Sequence, residues 1–271
     1  MSFHPTLPVA GSTLLYTRYS LEKACELLAK LGFEAVDVAM IENWAHIGPS
    51  SAIEDPEGTI ERIVTACDDS GLDPVAVNGS PGDGHPREQV RRVGALAAVA
   101  DGIGASTITM GAAQRDADFE TDLDRFRSFV SVAERYDVTI CVEAHYRQLT
   151  EDPAVALAYA ERVPGLGITL DPSQFAVGPY WEAGCYDDLL PHVEHVHVRQ
   201  AGDSWETVQL SPDDERGRVD FSRLVSKLES AGYDGAVTIE YIDSLDGVDP
   251  EAAEGDAGVM RKRITSLLAE R

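Results

Sequence analysis

Residues 139–146, Thr-Ile-Cys-Val-Glu-Ala-His-Tyr, have the length and alternation of a β-strand. Ile140, Val142 and Ala144 fall on one face, while Thr139, Cys141, Glu143 and His145 fall on the other. The apolar face needs a packing partner. The polar face then looks either at solvent or into an enclosed space, and the rest of the chain decides between the two.

Short runs rich in β-branched or small apolar residues lie near 13–18, 35–40, 74–79, 106–110, 139–145, 166–171, 194–199 and 235–241. Helical periodicity fills the intervals. Leu21, Ala24, Leu27, Leu28 and Leu31 make one stripe, closed by Gly32. Val90, Val93, Ala97 and Ala100 make another, ending before Gly102. Phe221, Leu224, Leu228 and Ala231 run from Asp220, an N-cap, to Gly232. Eight strands alternating with helices predict a parallel sheet with crossover connections. A chain of 271 residues has the size of one (β/α)8 barrel. A doubly wound open sheet would bury both faces of its strands; several strands here are apolar on one face only. The expected fold is therefore α/β, a single-domain (β/α)8 TIM barrel over residues 1–271. Gly102-Ile-Gly-Ala-Ser-Thr107 resembles the start of a dinucleotide-binding turn. It lacks the third glycine and sits between a helix and a following strand, so it reads as a helix end.

Composition narrows the setting. Acidic residues number 47 against 22 basic ones, for a net charge of −25, and only Lys23, Lys30, Lys227 and Lys262 are lysines. An acidic, lysine-poor surface suits a protein that stays hydrated in very high salt, so a halophilic source is expected, and nucleic acid is disfavoured as a partner. The chain has no run of 18 apolar residues and no basic-then-apolar start, which predicts a cytoplasmic protein with no membrane partner. Cys25, Cys67, Cys141 and Cys185 are scattered without a CxxC, which speaks against a disulfide framework or a zinc–thiolate site.

The parity that places Glu143 opposite the apolar face extends to the strands that follow. Thr169 and Asp171 face the barrel in "GITLD", His195, His197 and Arg199 in "HVHVR", and Thr238 and Glu240 in "VTIEY". Glu143, Asp171, His197 and Glu240 thus come one per successive strand, at the C-terminal ends where this fold carries its active sites. Three carboxylates crowded there would repel one another, and a divalent cation removes that penalty. The mostly oxygen donor set suits Mn²⁺ or Mg²⁺, with Zn²⁺, Co²⁺ or Fe²⁺ also compatible. Each residue has a plainer alternative: an Asp in "LDP" caps the next helix, and a lone His serves as a core hydrogen-bond donor.

Taken with "LLAKLGFEAVDV", "CVEAHY", "LGITLDPSQF", "HVEHVHVRQA" and "GRVDFSRLVSKLESAGYDGAVTIEY", these residues resemble the xylose isomerase-like TIM-barrel family of sugar phosphate isomerases and epimerases. The resemblance covers most of the chain. It implies one divalent ion held by Glu143, Asp171, His197 and Glu240, and a small carbohydrate as substrate. Glu143 and Glu240 would double as acid and base, moving a proton through a metal-stabilised enediolate. Two departures bear on the substrate. Gln174 stands where many relatives have a substrate-contacting histidine, and Leu149 where ketose epimerases often have a second glutamate.

Other residues expected at the mouth are His145, His195, Arg199, Trp44, His46, Asn78 and Trp181. His145 and Gln174 would contact substrate; Arg199 would meet a phosphate or carboxylate group, or else form an ion pair inside the barrel. Trp44 and His46 would form an aromatic wall, or merely anchor their loop. His195, one pleat deeper than His197, would orient a ligand. An inosose dehydratase-like lyase shares the same first step. An endonuclease IV-like DNA repair enzyme, which needs three metals, and a non-catalytic binding barrel are the remaining alternatives. The resemblance is compatible with a homodimer.

Overall fold

A computed structural model describes residues 7–270 of the chain. Nine strands are formed among them: β1 (Val9–Ser12), β2 (Ala35–Ile41), β3 (Ala45–His46), β4 (Asp73–Ser80), β5 (Thr107–Gly111), β6 (Thr139–Glu143), β7 (Gly167–Leu170), β8 (Val193–Val198) and β9 (Val237–Ile239). Eight of them pair in parallel, and the sheet closes where β1 pairs with both β2 and β9. β3 is a two-residue antiparallel addition to β2 at the barrel mouth. The expected barrel is the observed one.

Helices α1 (Leu21–Lys30), α2 (Pro49–Glu54), α3 (Pro56–Ser70), α4 (Pro86–Ile103), α5 (Phe119–Ala133), α6 (Pro153–Arg162), α7 (Pro172–Ala176), α8 (Phe221–Ala231) and α9 (Pro250–Ala269) follow or connect the strands. Many begin with an Asp or Ser side chain accepting a backbone N–H of the first turn, as Ser20, Asp118, Asp152, Asp220 and Asp249 do. No helix of the described residues is long and apolar enough to cross a membrane.

Two local expectations need correction. The first strand lies at Val9–Ser12, and the apolar run after it forms a 3-10 turn over Thr13–Tyr16, capped by the Ser12 hydroxyl. Packed turns and strands have the same apolar content, so composition does not separate them over four residues. Helix α4 runs through Gly102 and is capped by Gly104 at φ 79°. Gly102 is needed for packing instead: a Cβ there would lie 2.5 Å from Cδ1 of Ile60 on α3.

Outward-facing Val142, Ile168, Val196 and Ile239 pack with the helices in one large apolar core. The barrel interior is polar, and bonds between non-adjacent strands prove the orientation. Asp37 on β2 reaches His195 and His197 on β8. Asn78 on β4 reaches Glu240 beyond β9, and Thr109 on β5 meets Thr169 on β7 at 2.7 Å. Outside the barrel, Asp122 on α5 holds the β5–α5 loop by accepting the Ala113 N–H at 3.0 Å, and it also accepts the Tyr159 hydroxyl at 2.5 Å. Tyr159→Phe should lower unfolding free energy by about 1–2 kcal/mol in urea titration. An unchanged midpoint would remove the hydroxyl from the account.

Candidate active site

The mouth of the barrel gathers Glu143 of β6, His197 of β8 and Glu240 just past the end of β9. His197 is fully buried. Its Nε2 lies 3.0 Å from Oδ2 of Asp37, the oxygen that also lies 3.2 Å from Nε2 of His195. An ionised carboxylate accepts only, so both imidazoles donate from Nε2. Burial alone would raise the Asp37 carboxyl, but the two imidazole N–H groups outweigh it and hold that carboxyl well below the usual range. The bond fixes the His197 ring and turns its Nδ1 toward the mouth.

At that nitrogen the site becomes unusual. Nδ1 of His197 lies 3.2 Å from Oε1 of Glu240 and 3.7 Å from Oε1 of Glu143, yet no aligned hydrogen bond forms. Three buried donor atoms from Glu143, His197 and Glu240 converge within 4.8 Å of one another. Two ligands of one ion, each about 2.1 Å from it, stand roughly 3–3.5 Å apart. Neutral imidazole plus two carboxylates is also a chemically proper donor set for a divalent cation. The residues present fit a metal. A second group, Asp37 with His195 and His197, lies deeper and shares His197; Oδ2 of Asp37 and both Nε2 atoms are engaged in the bonds that orient the ring, while Oδ1 of Asp37 has no hydrogen-bond partner.

Glu240, Glu143, His197 and His195 are all shifted from their ordinary values. Burial raises Glu240, and despite the opposing charges of His197 and Arg199 it is pushed up to about 7. Burial also opposes ionisation of Glu143, but His197, His145 and Arg199 outweigh it and lower that carboxyl. His197 is raised well above its ordinary value because Glu240, Asp37 and Glu143 overcome its burial. Burial lowers His195, and Asp37 only partly offsets this.

Asp171 stands apart from the group. The strand ends at Leu170, and Asp171 caps α7 by accepting the Ser173 N–H at 2.9 Å. Its other oxygen faces Arg199 at 3.3 Å. Arg199 itself is buried and also bonds Glu240 at 3.1 Å and Ser173 at 3.0 Å, the ion-pair alternative for that residue. Gln174 is buried as well; its Oε1 accepts the Tyr146 N–H at 3.2 Å.

His145 lies beyond the end of β6, where strand parity no longer applies; its Nδ1 sits 2.6 Å from the Tyr146 carbonyl. His46 donates from Nε2 to the Thr13 carbonyl at 2.9 Å, tying β3 to the turn after β1. Trp44 is 45% exposed at the rim, its indole N–H 3.3 Å from the Ser244 hydroxyl. Trp181 carries the Arg218 guanidinium over its ring. Tyr146 stacks on Trp205 at 5.9 Å, with Arg147 over both rings. Arg147 and Asn43 hold positive φ values of 66° and 60° in these mouth loops, strained conformations for non-glycine residues.

Two contributors escaped the sequence reading. Asp37 is the lone charge in "AVDVAMI", and parity with Val36 and Val38 as outward residues would have placed it inside. Trp205 lies in a loop without periodicity, and its stack with Tyr146 has no sequence signal.

The family model for the xylose isomerase-like TIM barrel matches residues 25–263. The chain belongs to that family. No curated protein sequence matches it. Among solved structures, a xylose isomerase-like TIM barrel protein from Mycobacterium smegmatis, in complex with magnesium, superposes with a TM-score of 0.78 at 17% identity, covering 100% of this chain and 99% of that one. The 3-keto-D-glucoside 4-epimerase YcjR from E. coli gives 0.71 at 17% identity, with 95% and 99% covered. The probable 3-DHS dehydratase AsbF from Bacillus anthracis gives 0.68 at 15% identity, with 94% and 98% covered. At these identities the likeness to these structures is one of fold.

Proposed function

We propose that this protein is a divalent-metal-dependent isomerase or epimerase acting on a small sugar or sugar phosphate. The observation that carries the reading is the convergence of Glu143 and Glu240 on the unpartnered Nδ1 of His197 at the barrel mouth. Glu143, His197 and Glu240 would hold the ion, with Mn²⁺ or Mg²⁺ best matched to the donors. When bound, the ion would polarise a carbonyl and an adjacent hydroxyl, acidifying the hydrogen between them.

Of the two carboxylates, one takes that proton and the same or the other returns one. Return to the opposite face of the same carbon gives an epimer; return to the neighbouring carbon interconverts aldose and ketose. Asp37 keeps His197 in the Nε2–H tautomer and so keeps Nδ1 free. Trp44 and the stacked Tyr146 and Trp205 give the rim flat apolar faces that suit the C–H face of a sugar. Incubation with ketoses in D₂O and Mn²⁺ tests the reading: deuterium should enter the carbon next to the carbonyl as an epimer or aldose forms, with no atoms lost apart from the hydrogen exchanged. Loss of water from the product would assign a dehydratase instead.

Protons and metal compete for the same atoms. His197 is raised well above its ordinary value and Glu240 is pushed up to about 7, so both hold protons in mildly acidic solution. Each must release its proton to ligate, and apparent Mn²⁺ affinity should therefore fall as pH drops from about 8 to about 6, with protons released on binding. Calorimetry in buffers of different ionisation enthalpy reads that release. Affinity independent of pH would contradict the ligand set.

Among the described residues only a few acids are buried, among them Asp37, Asp122, Glu143, Asp171 and Glu240. Most of the chain's 47 therefore repel one another at the surface. We expect the thermal unfolding midpoint to rise as KCl is taken from low to molar concentration. A midpoint that falls would contradict adaptation to salt.

A further inference from the structure

Asp171 stands at the C-terminal end of β7, where a strand-by-strand reading enlists it as a fourth ligand. Its oxygens are otherwise engaged. Oδ1 accepts the Ser173 N–H at 2.9 Å, while Oδ2 lies 3.3 Å from Nη2 of Arg199 and 3.5 Å from Nε2 of Gln174. Arg199 is 3% exposed, and its donors are aimed at fixed partners. Nε donates to the Ser173 hydroxyl at 3.0 Å, and Nη1 donates to Oε2 of Glu240 at 3.1 Å and to the Glu240 carbonyl at 3.3 Å.

Glu240 is thereby divided. Its Oε2 belongs to Arg199, whereas Oε1 faces Nδ1 of His197 at 3.2 Å and accepts from Nδ2 of Asn78 at 2.9 Å. The cluster of convergent donor atoms contains Glu143, His197 and Glu240 and does not include Asp171.

We propose that the Arg199 guanidinium takes the corner of the site that a fourth ligand would fill. It holds Asp171 back, and the ion is carried by Glu143, His197 and Glu240 alone. Glu240 ligates through Oε1 while Oε2 stays on Arg199. This inference rests on the metal reading above. Moving Asp171 onto the ion would strip a buried guanidinium of one of its two carboxylate partners, which is unfavourable in a site without water to replace it. Two consequences follow from simple charge. The fixed cation repels the ion and weakens its binding, and the missing ligand leaves an additional coordination position for substrate oxygens.

Equilibrium dialysis with Mn²⁺ in high-KCl buffer tests this on the whole chain. The set comprises wild type, Glu143→Gln, Asp171→Asn, Arg199→Met and the Asp171→Asn/Arg199→Met double variant. Asparagine still caps α7 through its side-chain oxygen. Asp171→Asn should weaken Mn²⁺ binding by no more than about tenfold, because a buried neighbouring charge is lost but no ligand. Glu143→Gln should weaken binding about a hundredfold. Arg199→Met should tighten it by about tenfold or more, and the double variant should give back most of that gain, since the released Asp171 is what joins the ion.

Weakening by Asp171→Asn as severe as that by Glu143→Gln would make Asp171 a ligand and overturn the proposal while leaving the metal reading intact. Unchanged or weaker binding by Arg199→Met would also overturn it. If Arg199→Met does not fold, the comparison of Asp171→Asn with Glu143→Gln decides alone. Failure of every protein in the set, wild type included, to bind Mn²⁺ would overturn both the proposal and the metal reading.

Discussion

Glu240→Gln is expected to lower solvent-hydrogen exchange into a ketose by about 10²–10⁴-fold, the range typical of removing a positioned acid or base. The substitution keeps the shape of the side chain, whose amide oxygen can accept from Asn78 or from Arg199 but not from both, and Arg199 retains its pair with Asp171. The fold should therefore survive. What disappears is a proton carrier and a negative ligand directed at Nδ1 of His197, 3.2 Å away. Two losses then act together, one on metal binding and one on proton transfer. Measuring exchange at saturating Mn²⁺ separates them: a rate restored by excess metal would confine Glu240 to ligation, and a rate that stays low assigns it the proton as well. Exchange within tenfold of wild type would remove Glu240 from the chemistry.

Asp37→Asn should weaken Mn²⁺ binding by about 10–100-fold, although Asp37 does not touch the ion. Its Oδ2 accepts from both His195 and His197, and that bond keeps the proton on Nε2 of His197. An amide offers one acceptor and two donors, so one orientation places N–H against N–H and favours the tautomer that protonates Nδ1. The nitrogen needed by the metal is then lost. Thermal unfolding of the metal-free variant controls for collapse of the barrel interior. A folded variant with unaltered affinity would mean that the His197 ring is held by packing alone.

The barrel was legible because a period of two survives in each strand even where its ends do not. Glu143, His197 and Glu240 occupy the inner register predicted for them, and it is these three that the structure brings together. Asp171 and Glu240 both lie just past their strands and still turn inward, Asp171 with one oxygen on the cap of α7 and the other on Arg199. His145 shows the limit of the same rule: it lies past the last paired residue of β6, and its ring turns to a neighbouring carbonyl. Arg199 was correctly placed inside, but its two partners are contributed by other strands, and no local pattern names them. Asp37 was passed over because a single charge in an apolar strand leaves the hydrophobic pattern almost unchanged. Its meaning comes only from two imidazoles roughly 160 residues away along the chain.

The account depends on an ion at Nδ1 of His197, and the direct measurement is the Mn²⁺ bound per chain by the chelated and reloaded protein, beside His197→Ala. It predicts about one tightly held ion for wild type and none for the variant. Absence of tight binding in wild type, or binding that survives His197→Ala, would contradict it.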